Sequence, residues 1–397
     1  MKIIILKKRK SDKMRIYYFD NSATSNPKPA EVYEAVNYAM KEMNCNPGRG
    51  GHRLAVKSSV EIYKVREKIA KFFNQKNPLQ VAFTNNSTTA LNMAIFGSLQ
   101  EGDTVITTSQ EHNSTLRPLF TLKEEKNINI ILVDTESPED KIIEHLKKEK
   151  IKMVALNHMS NVTGKSIDIE KIGKVSRECG TLLVVDASQS AGMIDVDMEK
   201  MCIDILCITG HKSLFGIQGI GAIIPREGIY LHPILVGGTG SYSRVLTQPK
   251  EMPEHLEAGT VNTPGIFSLG AGIDFINRVG LKNIHNHEQE LKNRFIQGIK
   301  KIDSENIVRL YTSYGKNDGP VVSLNVEGVA SSDLSALLDE EFGIITRSGL
   351  HCAPLVHEEN QTSETGMVRF SFGYFNTSED IDYAILAMEK ILNSLND

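Results

Sequence analysis

The chain is short of cysteine, of net charge and of long apolar runs, and each shortage closes off a class of function. Its five cysteines, Cys45, Cys179, Cys202, Cys207 and Cys352, are scattered and odd in number, and none forms a CxxC pair. Zinc and iron–sulfur sites draw on such pairs, so no metal is expected. Sparse thiols in a large chain without a secretory leader point to a reducing, cytoplasmic setting. Four of the five are expected as buried small hydrophobes, and Cys352 stands apart. A net charge of −4 offers no basic footprint for nucleic acid. No apolar run approaches the roughly 18 residues of a membrane span. The opening segment has too short an apolar run for a signal peptide; residues 1–13 read as a basic tail without structural role, and Met14 as a candidate initiator.

What is present reads as an ordinary globular protein. The 397 residues are 40% hydrophobic and 24% charged, enough for one large domain and a smaller one. There is no internal repeat and no low-complexity linker. Short apolar runs alternate with amphipathic stretches through the middle of the chain. Val105–Thr107, Ile128–Val133, Met153–Leu156, Leu182–Val185 and Ile203–Ile208 read as strands, and residues 138–150 and 168–179 between them as helices. The runs do not alternate strictly, so these strands are expected to be buried on both faces of a parallel sheet covered by helices. That places an α/β domain over residues 30–270, behind an N-terminal arm of residues 1–29. Residues 268–302 carry long helical periodicity. Strands at Ile307–Tyr311, Val321–Val326, Ile344–Thr346 and Met367–Phe372, with helices near 331–341 and 378–395, then suggest a smaller α+β domain over residues 271–397.

Ligands of open α/β sheets bind beyond the carboxyl ends of the strands. Five strand ends carry polar groups: Ser87, Thr88 and Thr89 after Val81–Phe83; His112 after Val105; Asn157 to Asn161 after Met153; Asp186 and Gln189 after Leu182; Thr209, His211 and Lys212 after Leu206. Any one of these has a bland explanation. A lone Asp at a strand end is usually a helix cap, a lone Lys is usually solvated, and Ser-Thr-Thr before an apolar stretch is a good N-cap. Their joint appearance fits the needs of a pyridinium cofactor better. Lys212 would be the amine nucleophile, Asp186 the carboxylate on the ring nitrogen, Ser87, Thr88 and Thr89 a phosphate cradle at a helix start, and His112 the flat partner of the ring. The run Gly216–Gly221 precedes a strand rather than a helix, so it reads as a tight turn that lets Lys212 point inward.

The motifs Tyr17–Thr24, Asn46–His52, Asn85–Asn92, Glu111–Asn113, Asp186–Gln189, Thr209–Lys212, Glu257–Thr260, Arg347–Cys352 and Arg369–Thr377 together resemble the cysteine desulfurases. These belong to the class V aminotransferase group of fold-type I enzymes, and the likeness is to the group II branch with its Suf-type and selenocysteine lyase-like members. It spans Tyr17 to Asp397. It implies pyridoxal 5′-phosphate as cofactor and a large, mostly parallel sheet domain beside a smaller C-terminal one. By the resemblance, Lys212 forms the Schiff base, His112 stacks on the pyridine ring, Asp186 pairs with the ring nitrogen, Gln189 contacts the 3′-oxygen, and Asn161 lies beside the substrate and that same oxygen. Thr88, Thr209 and His211 hold the phosphate, and Thr260 reaches the phosphate of a neighbouring subunit, which implies a homodimer. Arg369, with Arg347 nearby, binds the substrate carboxylate, and Cys352 accepts the sulfur.

The implied reaction converts L-cysteine to L-alanine, leaves a persulfide on Cys352 and passes the sulfur to an acceptor protein. Arg347 and His351 give Cys352 an electropositive setting that favours its thiolate. A selenocysteine lyase, using the same Cys, Lys and Arg on L-selenocysteine, is a rival. So are a class V aminotransferase that does not use Cys352 and a non-catalytic scaffold binding a sulfur carrier. Gly48 before Arg49, Asn113 after His112, and Leu350 each depart from the family's common residues and bear on substrate preference and acceptor. The stretch after Cys352, over residues 355–366, is expected to be a solvated surface loop.

Overall fold

The computed structural model describes residues 15–48, 50–241 and 244–395; the expected basic tail and Met14 lie outside them. The large sheet is built from β2 (Ala82–Thr84), β3 (Thr104–Thr108), β4 (Asn129–Val133), β5 (Met153–Asn157), β6 (Leu182–Asp186), β7 (Ile205–Thr209) and β8 (Gly221–Pro225), after a short β1 (Tyr17–Tyr18). Its strand order is β2-β8-β7-β6-β5-β3-β4. Every strand runs parallel except β8, which is antiparallel to both of its neighbours. Around it lie α1 (Ala30–Glu42), α2 (Arg53–Phe72), α3 (Ser87–Ser98), α4 (Asn113–Lys126), α5 (Pro138–Lys148), α6 (Ile169–Glu178) and α7 (Thr263–Val279).

The period of two along each strand divides the core between the two faces. Val154, Leu156, Leu183, Val185, Leu206 and Ile208 face one cluster, together with residues of α1, α2, α5, α6 and α7. Met153, Ala155, Val184, Ile205 and Cys207 face the other, against α3 and α4. Both faces are therefore covered, which explains why these strands lack polar alternation.

The second sheet is antiparallel, with order β12-β13-β10-β9. It comprises β9 (Val308–Tyr311), β10 (Val321–Val326), β12 (Arg347–Gly349) and β13 (Met367–Ser371). The helices of this part are α8 (Leu281–Ile302), α9 (Ser331–Phe342), α10 (Pro354–Glu359) and α11 (Ser378–Leu395), and β11 (Ile344–Ile345) pairs in parallel with β1. Phe19, α8, α9 and α11 share one core with this sheet, and we propose that the segment around Phe19 belongs to the smaller unit.

The long helical stretch expected over 268–302 is two helices, broken at Gly280, whose φ of 93° suits a residue without a Cβ. Helix α7 packs in the large-sheet core and the buried residues of α8 from Leu291 onward in the small one. We propose that the division between the units falls at Gly280, ten residues beyond the expected 270.

Two other expectations are corrected. Of the five cysteines only Cys207 is buried, while Cys45 and Cys202 are half-buried and Cys179 is exposed. Three of these four lie in turns or at a helix end, where composition carries no burial signal. The stretch after Cys352 is not a solvated loop. It begins with α10, whose Val356 and His357 are buried, and Thr362 beyond it is buried as well.

One buried ion pair joins α2 to the sheet edge. Arg66 and Glu257 meet in a two-pronged contact of 2.6 and 2.7 Å, with each side chain only 8% exposed. Glu257 also accepts the Phe83 N–H at the start of β2. Glu257→Ala leaves the guanidinium buried without its counter-charge. It should lower the unfolding free energy by about 3–5 kcal/mol. Urea unfolding measures this, and a loss under about 1 kcal/mol would show the pair to be solvated in solution.

Candidate active site

A cavity of about 180 Å³ opens at the carboxyl edge of the large sheet. All five polar strand ends reach it: Asn86, Ser87 and Thr88 after β2; His112 and Ser114 after β3; Asn157 and Asn161 after β5; Asp186, Ser188 and Gln189 after β6; and Thr209, His211 and Lys212 after β7. The parallel direction of these strands is what brings them together. Ladder bonds occupy the strand backbones, so the loops beyond them are free to carry side chains inward.

Lys212 follows β7 on a tightly constrained loop. Gly210 N–H donates to Ile220 O at 2.8 Å and Gly216 N–H to Gly210 O at 2.7 Å. Helix α7 presses on the next turn, where a Cβ on Gly272 would lie 2.0 Å from Leu214 O. From the other side Ser25 Oγ donates to Lys212 O at 2.8 Å and Lys28 Nζ to His211 O at 2.7 Å. Burial pushes the Lys212 ammonium down to about 8; Asp186 opposes this, and Arg369 and Arg347 add to it. The amine is thus closer to its nucleophilic form than an exposed lysine.

Asp186 collects its contacts on one oxygen. Its Oδ1 accepts from Ser87 Oγ at 3.2 Å, from Ser188 N–H at 2.9 Å and from Ser188 Oγ. Ser87 therefore serves Asp186. His112 caps α4, its Nδ1 accepting the Ser114 N–H at 3.0 Å. Burial, reinforced by Lys212, lowers its pKa to about 4, so the ring is neutral. Beneath it Glu111 is fully buried and joins two strand ends. It accepts from Thr108 Oγ1 at 2.7 Å and from Asn157 N–H at 2.9 Å. Burial raises its pKa to about 8, and nearby Asp186 contributes.

The residues fit a phosphorylated pyridine. Thr209 Oγ1, His211 Nδ1 and Asn161 Oδ1 are buried polar atoms without a partner in a cavity that they line. Such atoms are costly unless a ligand or water meets them. Thr88 Oγ1 meets Ser114 Oγ at 2.8 Å at the start of α3, whose N-terminus favours an anion. Gln189 donates to Ser22 O at 3.0 Å.

Two arginines and Cys352 come from the small unit. Arg369, 1% exposed, donates to Asn161 O at 3.0 Å and to Asp20, and its Nε has no partner. Arg347 Nη2 lies 3.6 Å from Cys352 Sγ. The Cys352 loop is tied to the cavity wall: Asn161 Nδ2 donates to His351 O at 2.8 Å and Asn113 N–H to Cys352 O at 2.7 Å.

Arg347, Cys352 and Arg369 do not line this cavity, and neither do two of the residues expected to hold the cofactor. Thr89 bonds to the capping Asn86 instead, and Thr260 is exposed, 3.5 Å from Asn46 Nδ2. Three lining residues were not foreseen, Asn86, Ser114 and Ser188, and Asn157 was named at its strand end without a role. Ser114 and Ser188 each stand two residues beyond an expected site residue, the spacing of a cap or Asx-type turn, and that signal was available. Asp20 and Glu111 carried none beyond their place in motifs.

Comparison with known proteins gives a consistent relationship. The sequence model of the class-V aminotransferases matches residues 17–384. A probable cysteine desulfurase of Synechocystis is 32% identical, covering 96% of this chain and 92% of that protein. One of Pyrococcus abyssi is 34% identical, with 96% and 95% covered. The apo structure of a cysteine desulfurase from Thermococcus onnurineus superposes with a TM-score of 0.89 at 32% identity, covering 96% and 95% of the two chains.

The buried Glu111 makes a measurable pH signature. Its carboxyl titrates near 4.5 when unfolded and near 8 when folded. The folded chain therefore holds the extra proton between these values, and this stability is lost as pH rises through 8. Glu111→Gln keeps the accepting oxygen without the titration. The variant's stability relative to the parent should rise between pH 4.5 and 8 and level off above, by up to a few kcal/mol at ~1.4 per unit. Urea midpoints across this range decide it; a constant difference would show that Glu111 ionises freely.

Proposed function

The chain belongs to the class-V aminotransferase family, in its cysteine desulfurase branch, and from this premise we propose that it converts L-cysteine to L-alanine and holds the sulfur as a persulfide on Cys352. The observation that carries the reading is the joining of two chemistries through Asn161. This residue lines the Lys212 cavity and also holds the carbonyl before Cys352.

Enzymes of this family use pyridoxal 5′-phosphate, which when bound supplies a carbonyl for Lys212 and an electron-withdrawing ring beside the substrate's Cα. Thr88, Thr209 and His211 would hold its phosphate, Asp186 its ring nitrogen, His112 its face, and Gln189 and Asn161 its 3′-oxygen. Lys212, with its lowered pKa, takes and returns the substrate's Cα proton. Asp20 and the Asn161 carbonyl orient Arg369, which with Arg347 supplies the charge for the substrate carboxylate. Cys352 acts as a thiolate, with the guanidinium of Arg347 3.6 Å from its sulfur. That thiolate attacks the substrate's sulfur; an S–S bond forms, the Cβ–S bond breaks, and Cβ takes up a proton to give alanine. Seleno-substrates and keto-acid acceptors would meet the same site, and the names of the relatives favour cysteine.

Thr260, exposed and outside its own cavity, suits a role toward the phosphate of a second copy, so a homodimer is part of the proposal. A sulfur-acceptor protein and a cytoplasmic setting complete it; free thiols support the latter. No helix among the described residues is long and apolar enough to cross a membrane.

Purified holoenzyme given L-cysteine should release alanine and carry one extra sulfur on Cys352 by mass spectrometry. Cys352→Ala should abolish the persulfide and slow alanine release about 10²-fold or more. Lys212→Ala should lose the absorbance of the covalently held cofactor. A wild-type enzyme that forms no alanine would overturn the reading.

A further inference from the structure

The nucleophile stands on strained backbone. His351 and Cys352 have φ of 51° and 58°, two consecutive non-glycine residues in the left-handed region. Such a residue is sterically disfavoured and persists only where surrounding structure over-determines it. Asn161 and Asn113 hold the two carbonyls from the large unit. The side chains need a further restraint, and the segment beyond Cys352 contains one.

His351 and Thr362 are each 2% exposed and His357 is wholly buried, so water does not serve them. His351 Nε2 lies 3.0 Å from Arg347 O. A carbonyl only accepts, so this nitrogen carries the proton. A neutral imidazole has one N–H, so His351 Nδ1 is an acceptor. Its partner is His357 Nε2 at 3.4 Å, which must then be the donor. His357 Nδ1 in turn accepts from Thr362 Oγ1 at 2.9 Å. The shorter contacts set the direction: Thr362 donates to the His357 ring rather than to the His357 carbonyl at 3.5 Å, His357 donates to His351, and His351 to the Arg347 carbonyl.

The surroundings keep both rings neutral. Burial pushes His351 down to about 3, with Arg369 on β13, His357 on α10 and Arg347 on β12 all acting in the same sense; burial also lowers His357. The far end of α10 is fastened too, since Glu359 accepts from Thr135 N–H at 3.2 Å, from Thr135 Oγ1 at 2.7 Å and from Ser109 Oγ.

We propose that Thr362, His357 and His351 form a relay of positioning residues. The relay ends on the backbone of the arginine whose guanidinium faces Cys352 Sγ, so it sets nucleophile and guanidinium together. The proposal rests on the reading of Cys352 as the sulfur acceptor. It assigns work to His357 and Thr362, which touch neither substrate nor cofactor.

Two measurements test it. Imidazole ¹⁵N NMR of the apoprotein at pH 7 should find His351 and His357 neutral, both with the proton on Nε2. A proton on Nδ1 of either ring, or a cationic ring, would overturn the relay. In the holoenzyme, His357→Leu should cut kcat for L-cysteine about 10- to 100-fold, the scale of misplacing a reacting group by an ångström. KM should change much less than kcat, since Arg369 keeps its contacts, and the cofactor absorbance should be unchanged, because the cavity is untouched. His357→Gln should restore most of the rate, since its amide can accept from Thr362 and donate to His351. Equal losses in the Leu and Gln variants, or none in either, would overturn the proposal. If His357→Leu does not fold, Thr362→Val reads the same kcat loss. A wild-type enzyme that forms no persulfide, with the tautomers as stated, would defeat the desulfurase reading while leaving the geometry of the relay standing.

Discussion

The common direction of β2, β3, β5, β6 and β7 is the constraint on which the rest of the molecule depends. Parallel pairing sends all five carboxyl ends to one edge of the sheet. The single antiparallel strand, β8, lets the chain double back after Lys212 and still leaves β2 parallel to β7. Reversing one of the five would send its polar loop to the far edge. The helices on both faces follow from the same fact, since parallel strands need crossovers and their apolar faces need cover.

Burial then tunes what the sheet has assembled. Water is largely excluded at the strand ends, so each titratable group must find a partner or neutralise. Lys212 moves toward its free amine, His112 stays neutral, and Glu111 keeps its proton. Glu111 accepts from the ends of two strands and so helps hold together the frame next to His112. Asp186 is bound differently: three donors converge on one of its oxygens and fix its orientation.

The smaller unit supplies what the sheet edge cannot. Its β13 delivers Arg369 and its β12 delivers Arg347, antiparallel neighbours in direct register. Two guanidiniums side by side need a counter-charge, and Asp20 from the N-terminal arm provides one. Asp20 thus reaches the site, while its neighbour Phe19 packs in the small core. Cys352 stands on strained backbone held by two anchors from the large unit, which suits the nucleophilic role proposed for it.

The sequence determined a good deal. Strand runs such as Met153–Asn157 and Leu182–Asp186 were legible because burial on both faces leaves an unbroken apolar signature. Lys212, Asp186 and His112 were legible because each closes such a run. Contacts between distant segments were not. That Asp20 meets Arg369, that Glu111 spans two strand ends, and that Val356, His357 and Thr362 are buried beyond Cys352 depend on which segments the fold packs against one another. Short polar stretches look alike whether they face water or a neighbouring loop, and small residues such as cysteine leave no periodicity to read. Local pattern fixes the elements and what stands at their ends; only the packing of one unit on the other decides which buried polar groups meet, because desolvation is a property of the assembled surroundings and not of the segment.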